Sequence, residues 1–531
     1  MKKIKNRINS LIMIYLCIIF ISCITTKNKV IYDGLKEEIT VKQLVIKSST
    51  NAISDRIYFT YEQDTRIISC SINKKIEAVS SDPSWCTVNV NKVDNNSIIL
   101  IQIEKNNGQE RTTNIKISVE KAEPVRIEVI QYSSTPIYFE GIPIMVCWGV
   151  NVPAFPTVEQ YLELKECGID HKFYDHFKNV EQLAQAMDAA KRAGIRMVIY
   201  CPELLTEPEK IVKRFKSHPA LAGYFICDEP TSDRFQNIGE LVRKIQEIDS
   251  SHFCYVNLLP MGSDNTTLLK YRPWVQSFLN KVPVQLLSFD CYPISLNSSG
   301  ERFLSSGWYE NLEIISDEAR NAGIPFWAYA LTTSHFSFPI PTLADLRLQI
   351  YSNLAYGAQG IQYFTYWTPS PIYNGNWHEG PIDYSTQHKT ATWYTVQKVS
   401  REIKALSNVF LGACVIKVGH IVTTATGGNG SVPDGTTRFN FLNRPAEASI
   451  IKTFIIPNNT KAVVSFLKNG NRCYMVIINR NFEGGDNVTF TITGGAGLQL
   501  IKKDGTAVPA SSENSNQTIT PGDVLIYGWD I

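Results

Sequence analysis

The chain has 531 residues, 44% of them hydrophobic and 11% aromatic, so it is too long for one hydrophobic core and too apolar for a disordered protein. Its 52 Lys and Arg against 50 Asp and Glu give a net charge of +2 with no basic cluster, which leaves no electrostatic footprint for nucleic acid or an anionic lipid surface. Several packed globular domains are expected.

The first residues, Met-Lys-Lys-Ile-Lys-Asn-Arg, precede an apolar run from Leu11 to Ile21. A charged start and a short apolar segment form the pattern of a secretory signal, and the run is too short to span a bilayer. It closes on Phe20-Ile21-Ser22-Cys23, which resembles the lipobox of bacterial lipoproteins. That resemblance implies removal of residues 1–22, lipidation of Cys23 and a place in the cell envelope as an outer-membrane lipoprotein, surface-exposed or periplasmic. Loss of Lys2, Lys3, Lys5 and Arg7 lowers the 52 basic residues to 48, so attachment to the membrane rests on the lipid alone. Residues 23–37 follow as a linker.

Over residues 38–135 the pattern is short segments of period two, such as Ile98 to Ile103, Asn114 to Val119 and Val125 to Ile130, which predicts a small antiparallel β-sandwich. Asn106-Asn107-Gly108 reads as a hairpin turn joining two of these strands. The motif Ser81-Asp82-Pro83-Ser84-Trp85-Cys86 before a strand, Arg111-Thr112-Thr113-Asn114 opening another and the closing Val129-Ile130-Gln131 resemble the BACON domain of Bacteroidetes glycan-utilisation proteins. The resemblance implies carbohydrate binding through Trp85; the competing reading is a rigid spacer with Trp85 in its core.

Residues 136–411 alternate strands with helices, the pattern of βα units on a parallel sheet. Eight strands are predicted: Ile144–Trp148, Asp170–Asp175, Arg196–Cys201, Gly223–Cys227, Phe253–Leu258, Gln285–Asp290, Pro325–Leu331 and Gly360–Trp367. Amphipathic stretches separate them, as from Val180 to Ala193 with Gly194 as the helix stop. Eight such units predict a (β/α)8 TIM barrel. Trp148-Gly149-Val150-Asn151 stands after the first strand where a nucleotide-binding chain carries GxGxxG, so no nucleotide cofactor is expected. Residues 412–531 return to alternating strands with Gly-Gly and Asn-Gly turns, a second antiparallel sandwich.

Twelve cysteines are present. Cys147, Cys201, Cys227, Cys254 and Cys291 sit in apolar strand-like runs and read as small buried hydrophobes, with Cys201 and Cys227 near enough in strand order to pair. No Cys/His cluster has metal-ligand spacing, so neither metal nor cofactor is expected.

The chemistry concentrates where apolar strands end on acids. Ala222-Gly223-Tyr224-Phe225-Ile226-Cys227 runs into Asp228-Glu229-Pro230, and Leu286-Leu287-Ser288-Phe289 into Asp290. In a (β/α)8 barrel these strand ends form the catalytic face. Here the chain resembles clan A glycoside hydrolases and β-galactosidase-like Bacteroidetes barrels, which carry an acid/base Glu at the end of strand 4. The resemblance implies a glycosidase with Glu229 in that role. That clan places its nucleophilic Glu at the end of strand 7, where this chain reads Ala328-Tyr329-Ala330-Leu331-Thr332-Thr333 with no carboxylate. Asp290 on strand 6 is the substitute, as nucleophile or as general base; Asp228, Asp175 and Glu203 are further candidates. On a regular strand Asp228 and Glu229 point to opposite sides, so one of them faces the axis.

Trp148, Tyr174, Tyr200, Tyr292 and Trp367 at strand ends supply stacking faces for sugar rings, with Trp367 first among them. Asn151, His176, Asn257 and His335 supply hydrogen bonds, and residues 369–388 form a loop that walls the cleft. The expected function is cleavage of a poly- or oligosaccharide by carboxylate acid/base catalysis, with retention, inversion, endo and exo action all left open. The alternative is a non-catalytic glycan-binding surface lipoprotein.

Overall fold

The computed structural model describes residues 56–59, 64–70, 74–93, 96–106, 111–120, 122–131, 141–148, 157–173, 177, 179–262 and 267–531. Cys23, Asn151, Tyr174, Asp175 and His176 lie outside the described residues. The N-terminal strands form one compact unit; the barrel and the C-terminal sheets form a second.

In the N-terminal unit, strands Arg56–Phe59, Val125–Gln131, Arg111–Val119 and Ile76–Ser80 make one sheet in that order, and Asp64–Cys70, Asn96–Ile103 and Cys86–Val93 a second. Alternation sets the burial: along Arg111–Val119, Thr113, Ile115, Ile117 and Val119 are buried while Thr112, Asn114 and Lys116 are exposed. Ile68, Ile99 and Ile101 of one sheet share a cluster with Ile115, Ile117 and Ile127 of the other. Two expectations change. Arg56–Phe59 pairs in parallel with Val125–Gln131, so the first sheet is mixed. Asn96–Ile103 and Arg111–Val119 do not form a hairpin, because they belong to different sheets and each buries its isoleucines in the shared core.

Trp85 is core, 5% exposed, with its Nε1–H donated to Asp82 Oδ2 at 2.9 Å and the Arg111 guanidinium 4.5 Å from its ring. Asp82 also accepts from the Ser84 backbone N–H at 3.2 Å, so the Asp-Pro-Ser-Trp turn locks the indole inward.

The second unit contains a closed parallel barrel of eight strands, here β1 (Ile144–Cys147), β2 (His171–Phe173), β3 (Arg196–Ile199), β4 (Leu221–Asp228), β5 (Phe253–Leu258), β6 (Leu287–Phe289), β7 (Phe326–Leu331) and β8 (Gly360–Phe364). Each overlaps a predicted strand, because strands covered on both faces need the continuous apolar runs seen in the sequence. Gly194, at φ 70°, ends the helix Val180–Ala193 as expected. Phe173, Phe225, Tyr255 and Tyr329 fill the barrel interior, with ring centroids 5.0 Å apart for Phe173 and Tyr255. Cys201 and Cys227 are buried free thiols, so the pairing between them is not formed.

After the barrel, strands Cys414–Val422, Lys461–Asn469, Arg472–Asn479, Val524–Asp530, Gln499–Ile501 and Ala507–Pro509 form a six-stranded antiparallel sheet, and Ile451–Ile455, Val488–Gly494 and Asn516–Ile519 a three-stranded one. Helix Leu343–Ala355 joins this region to the barrel and is buried at every position from Asp345 to Ala355. Ser465 Oγ donates to Ala355 O at 2.7 Å, and Arg347 pairs with Glu402 on the barrel side and with Asp523 at 3.3 Å on the sheet side. Among the described residues no helix is long and apolar enough to cross a membrane.

Candidate active site at the barrel mouth

Three carboxylates meet at the C-terminal ends of β4 and β6, and local backbone irregularities bring them together. On β4, Phe225 pairs with Tyr255 of β5 and Cys227 with Val256, so Ile226 is an extra residue, a β-bulge. The bulge uses up one step of the alternation, which puts Asp228 on the inward face already occupied by Phe225. Glu229 then takes the left-handed conformation, φ 43°, with its N–H donated to Asn257 O at 2.9 Å. Asp228 and Glu229 therefore both approach the mouth, and the expectation that only one does so is corrected. That expectation holds for a regular strand; the bulge and the positive φ remove the regularity.

Asn257 at the end of β5 links the acids. Its Nδ2 donates to Asp228 Oδ1 at 3.2 Å and to Asp290 Oδ1 at 2.9 Å, while its Oδ1 accepts from Ser288 Oγ at 3.0 Å. Gln362 Nε2 donates to the same Ser288 Oγ at 2.9 Å, and Tyr255 OH donates to Gln362 Oε1 at 2.5 Å. This buried network fixes the amide so that its NH2 faces the carboxylates. The expected role of Asn257 as a sugar contact is corrected accordingly: it is 3% exposed and its amide is spent on the two aspartates.

Glu229 and Asp290 face each other closely enough for each carboxyl to act on the other's proton affinity. Asp228 and Glu229 are solvent-accessible and Asp290 is half-buried, yet the walls of the mouth desolvate all three carboxyls. Burial raises the Asp228 pKa against the pull of Asn257. Burial and the Asp228 charge raise that of Glu229. Burial and the charges of Glu229 and Asp228 raise Asp290 well above the carboxylate range, so Asp290 keeps a proton and donates it toward Glu229. Among the described residues no group of three or more His, Cys, Asp or Glu side chains could hold a metal ion.

Aromatic rings wall the mouth. Trp148, half-buried at the tip of β1, lies 5.6 Å from Phe364, 6.1 Å from Trp377 and 6.3 Å from Tyr373 between ring centroids. Tyr292 follows Asp290 and packs at 5.8 Å on Phe364. Tyr200 is half-buried with its ring against Phe225 at 5.8 Å. Trp367, first choice as a stacking platform, is buried at 8% exposure, and its backbone N–H donates to Trp148 O at 3.2 Å. Phe364, three residues earlier on the same strand end, holds the mouth position instead. Trp377 and Tyr373 come from the loop after β8, which walls the mouth as expected.

At the tip of β7, Thr332 and Thr333 donate to Thr365 O at 2.7 and 3.2 Å, and no carboxylate is present. His335 follows, stacked on Trp377 at 4.2 Å, with Nδ1–H donated to Thr333 O at 2.9 Å; burial lowers its pKa and favours the neutral ring. Glu203 lies on helix Pro202–Thr206, apart from the three acids' hydrogen bonds. Ser288, Gln362 and Phe364 are not singled out by the sequence, although Ser288 stands two places before Asp290, and Phe364 and Gln362 stand three and five places before Trp367.

Residues 236–406, from the helix after β4 to the end of the barrel, match the family Glyco_hydro_42, described as Beta-galactosidase. The matched segment includes Asn257 and Asp290 and begins after Glu229. With the closed eight-stranded parallel barrel, this gives the molecule a glycosidase-type fold. No curated protein matches the chain significantly. Among solved structures, the chain is similar to a xyloglucanase of Bacteroides ovatus in complex with a XXXG heptasaccharide, at 13% identity over 65% of this chain and 98% of that one, TM-score 0.34. It is also similar to a family 51 alpha-L-arabinofuranosidase from Bifidobacterium longum, at 12% identity over 74% and 96%, TM-score 0.42. A family 39 glycoside hydrolase from Bacteroides cellulosilyticus gives 9% identity over 86% and 95%, TM-score 0.41.

Proposed function

We propose that the protein is a glycoside hydrolase whose chemistry is carried by Glu229 and Asp290. The observation that supports it most is the meeting of the Asp228, Glu229 and Asp290 carboxyls at the catalytic end of a (β/α)8 barrel, with Asn257 Nδ2 donating to both aspartates at 3.2 and 2.9 Å. Glycoside hydrolysis needs a carboxylic acid to protonate the departing oxygen and a second carboxylate on the other side of the anomeric carbon. Glu229, on an exposed turn, takes the shared proton when a sugar enters and delivers it to the glycosidic oxygen. Asp290, then ionised and held by Asn257, attacks the anomeric carbon or activates water. Retaining pairs stand about 5–5.5 Å apart and inverting pairs about 6.5–9.5 Å, so the contact between these two must open to admit a ring. Glu229 is the partner free to swing, being the longer and more exposed of the two. The test is release of sugar from a broad glycan and aryl-glycoside panel: turnover of one substrate supports the proposal.

A second reading, glycan binding without catalysis, is favoured by the acid-free tip of β7 together with the aromatic mouth. Saturable binding of a glycan with no turnover would establish it. We further propose lipidation at Cys23, residence in the cell envelope, and BACON-like and C-terminal β-sandwiches before and after the barrel in the sequence, the N-terminal one serving as a spacer. Its candidate stacking residue, Trp85, is spent on the core.

A further inference from the structure

A second concave site lies where the barrel meets the C-terminal sheets, a cavity of about 260 Å³ lined by Ser305, Ser306 and Tyr309 at the start of helix Trp308–Ala322 and by Lys461, Arg480 and Asn481. Arg480 is only 8% exposed, and no carboxylate among the described residues pairs with it. Its Nη1 donates to His420 Nδ1 at 3.3 Å, and its Cζ lies 5.7 Å from the Tyr309 ring centroid. Burial and the Arg480 charge hold His420 neutral, its pKa pulled down to about 3, so Nε2–H donates to Tyr356 OH at 2.8 Å and the ring offsets none of the guanidinium charge.

No carboxylate lines the cavity. Glu310, in the first helical turn, packs on Gly435, and Glu313 lies beside Tyr356 on the far side of that relay. A buried guanidinium without a counter-charge is costly, and burial draws its pKa down. The start of a 15-residue helix, an exposed lysine and two serines border the same space, and both charged side chains that line it are cationic.

We propose that this cavity binds a small molecule through one oxyanion group, a carboxylate, sulfate or phosphate, held by the Arg480 guanidinium with Lys461 and the Ser305 and Ser306 hydroxyls around it. Arginine's planar fork suits two oxygens of one such group. The volume lies below the about 300–1,000 Å³ of drug-sized pockets, which limits the occupant to an inorganic ion or a single sugar acid.

The test is calorimetric titration of the whole protein with sodium sulfate, sodium phosphate and sodium glucuronate, each against sodium chloride at matched ionic strength. Saturable one-to-one binding of at least one of them is expected, weakened at least tenfold in Arg480→Gln and in Lys461→Gln. Binding of sulfate or phosphate alone assigns a tetrahedral anion; binding of glucuronate alone assigns a sugar carboxylate. Lys461 is exposed, so its variant keeps the test valid if Arg480→Gln fails to fold. No saturable heat above chloride, or unchanged affinity in Lys461→Gln, would overturn the proposal.

Discussion

Asp290 sets the electrostatics of the mouth, because it collects burial and the charges of two neighbours. The native state holds its proton more tightly than the unfolded chain does. The stability tied to that proton is full below the ordinary carboxylate pKa and is lost as pH rises toward the elevated native one. Asp290→Asn, which cannot ionise, should therefore be more stable than the parent at pH 8. The gain should vanish near pH 3, and urea titrations at the two pH values measure it. Trp377 acts differently, through packing: stacked at 4.2 Å on His335 and T-shaped against Trp148 at 6.1 Å, it forms part of the aromatic wall of the mouth. Trp377→Ala should weaken glycan binding about 3–10-fold by titration, the range expected for one aromatic contact.

At the scale of elements, the tip of β4 is where regular geometry is given up. A non-glycine residue in the left-handed region costs on the order of 1 kcal/mol, and Glu229 bears that cost at φ 43°. Glu229→Gly should raise stability by about 1 kcal/mol in urea titration while abolishing turnover, the trade expected where strain serves a site. The eight strands were legible because fully buried strands must be continuously apolar, and Asp228, Glu229 and Asp290 were legible because an acid ending such a run is conspicuous. The meeting of all three was not, since nothing in Phe225-Ile226-Cys227 marks a bulge. Trp367 misled for a related reason: an aromatic at a strand end has the same composition whether it faces the mouth or the core, and Phe364 differs from it only in register. In the N-terminal sheets, Asn106-Asn107-Gly108 signals a turn but not which sheet the chain enters next.

Over the whole molecule, the barrel and the C-terminal sheets behave as one body because backbone packs against backbone between them. A Cβ at Gly522, φ 70°, would sit 2.0 Å from Ala344 O in the buried helix. Gly522→Ala should cost about 2–3 kcal/mol, as overpacking does, and should shift a single unfolding transition rather than split it in two. Arg347, between Glu402 and Asp523, adds a buried ionic tie across the same junction. On the proposed lipidation, Cys23→Ser should abolish labelling with a fatty-acid analogue and shift the protein toward the soluble fraction, as labelling and fractionation measure.

The most direct test of the central claim is turnover by Glu229→Gln and Asp290→Asn on a glycan that the parent protein cleaves, with thermal unfolding recorded for each variant. Both should stay folded and lose about 10²–10⁴-fold in kcat, the usual worth of positioned acid/base groups. Undiminished turnover in either variant would contradict the account.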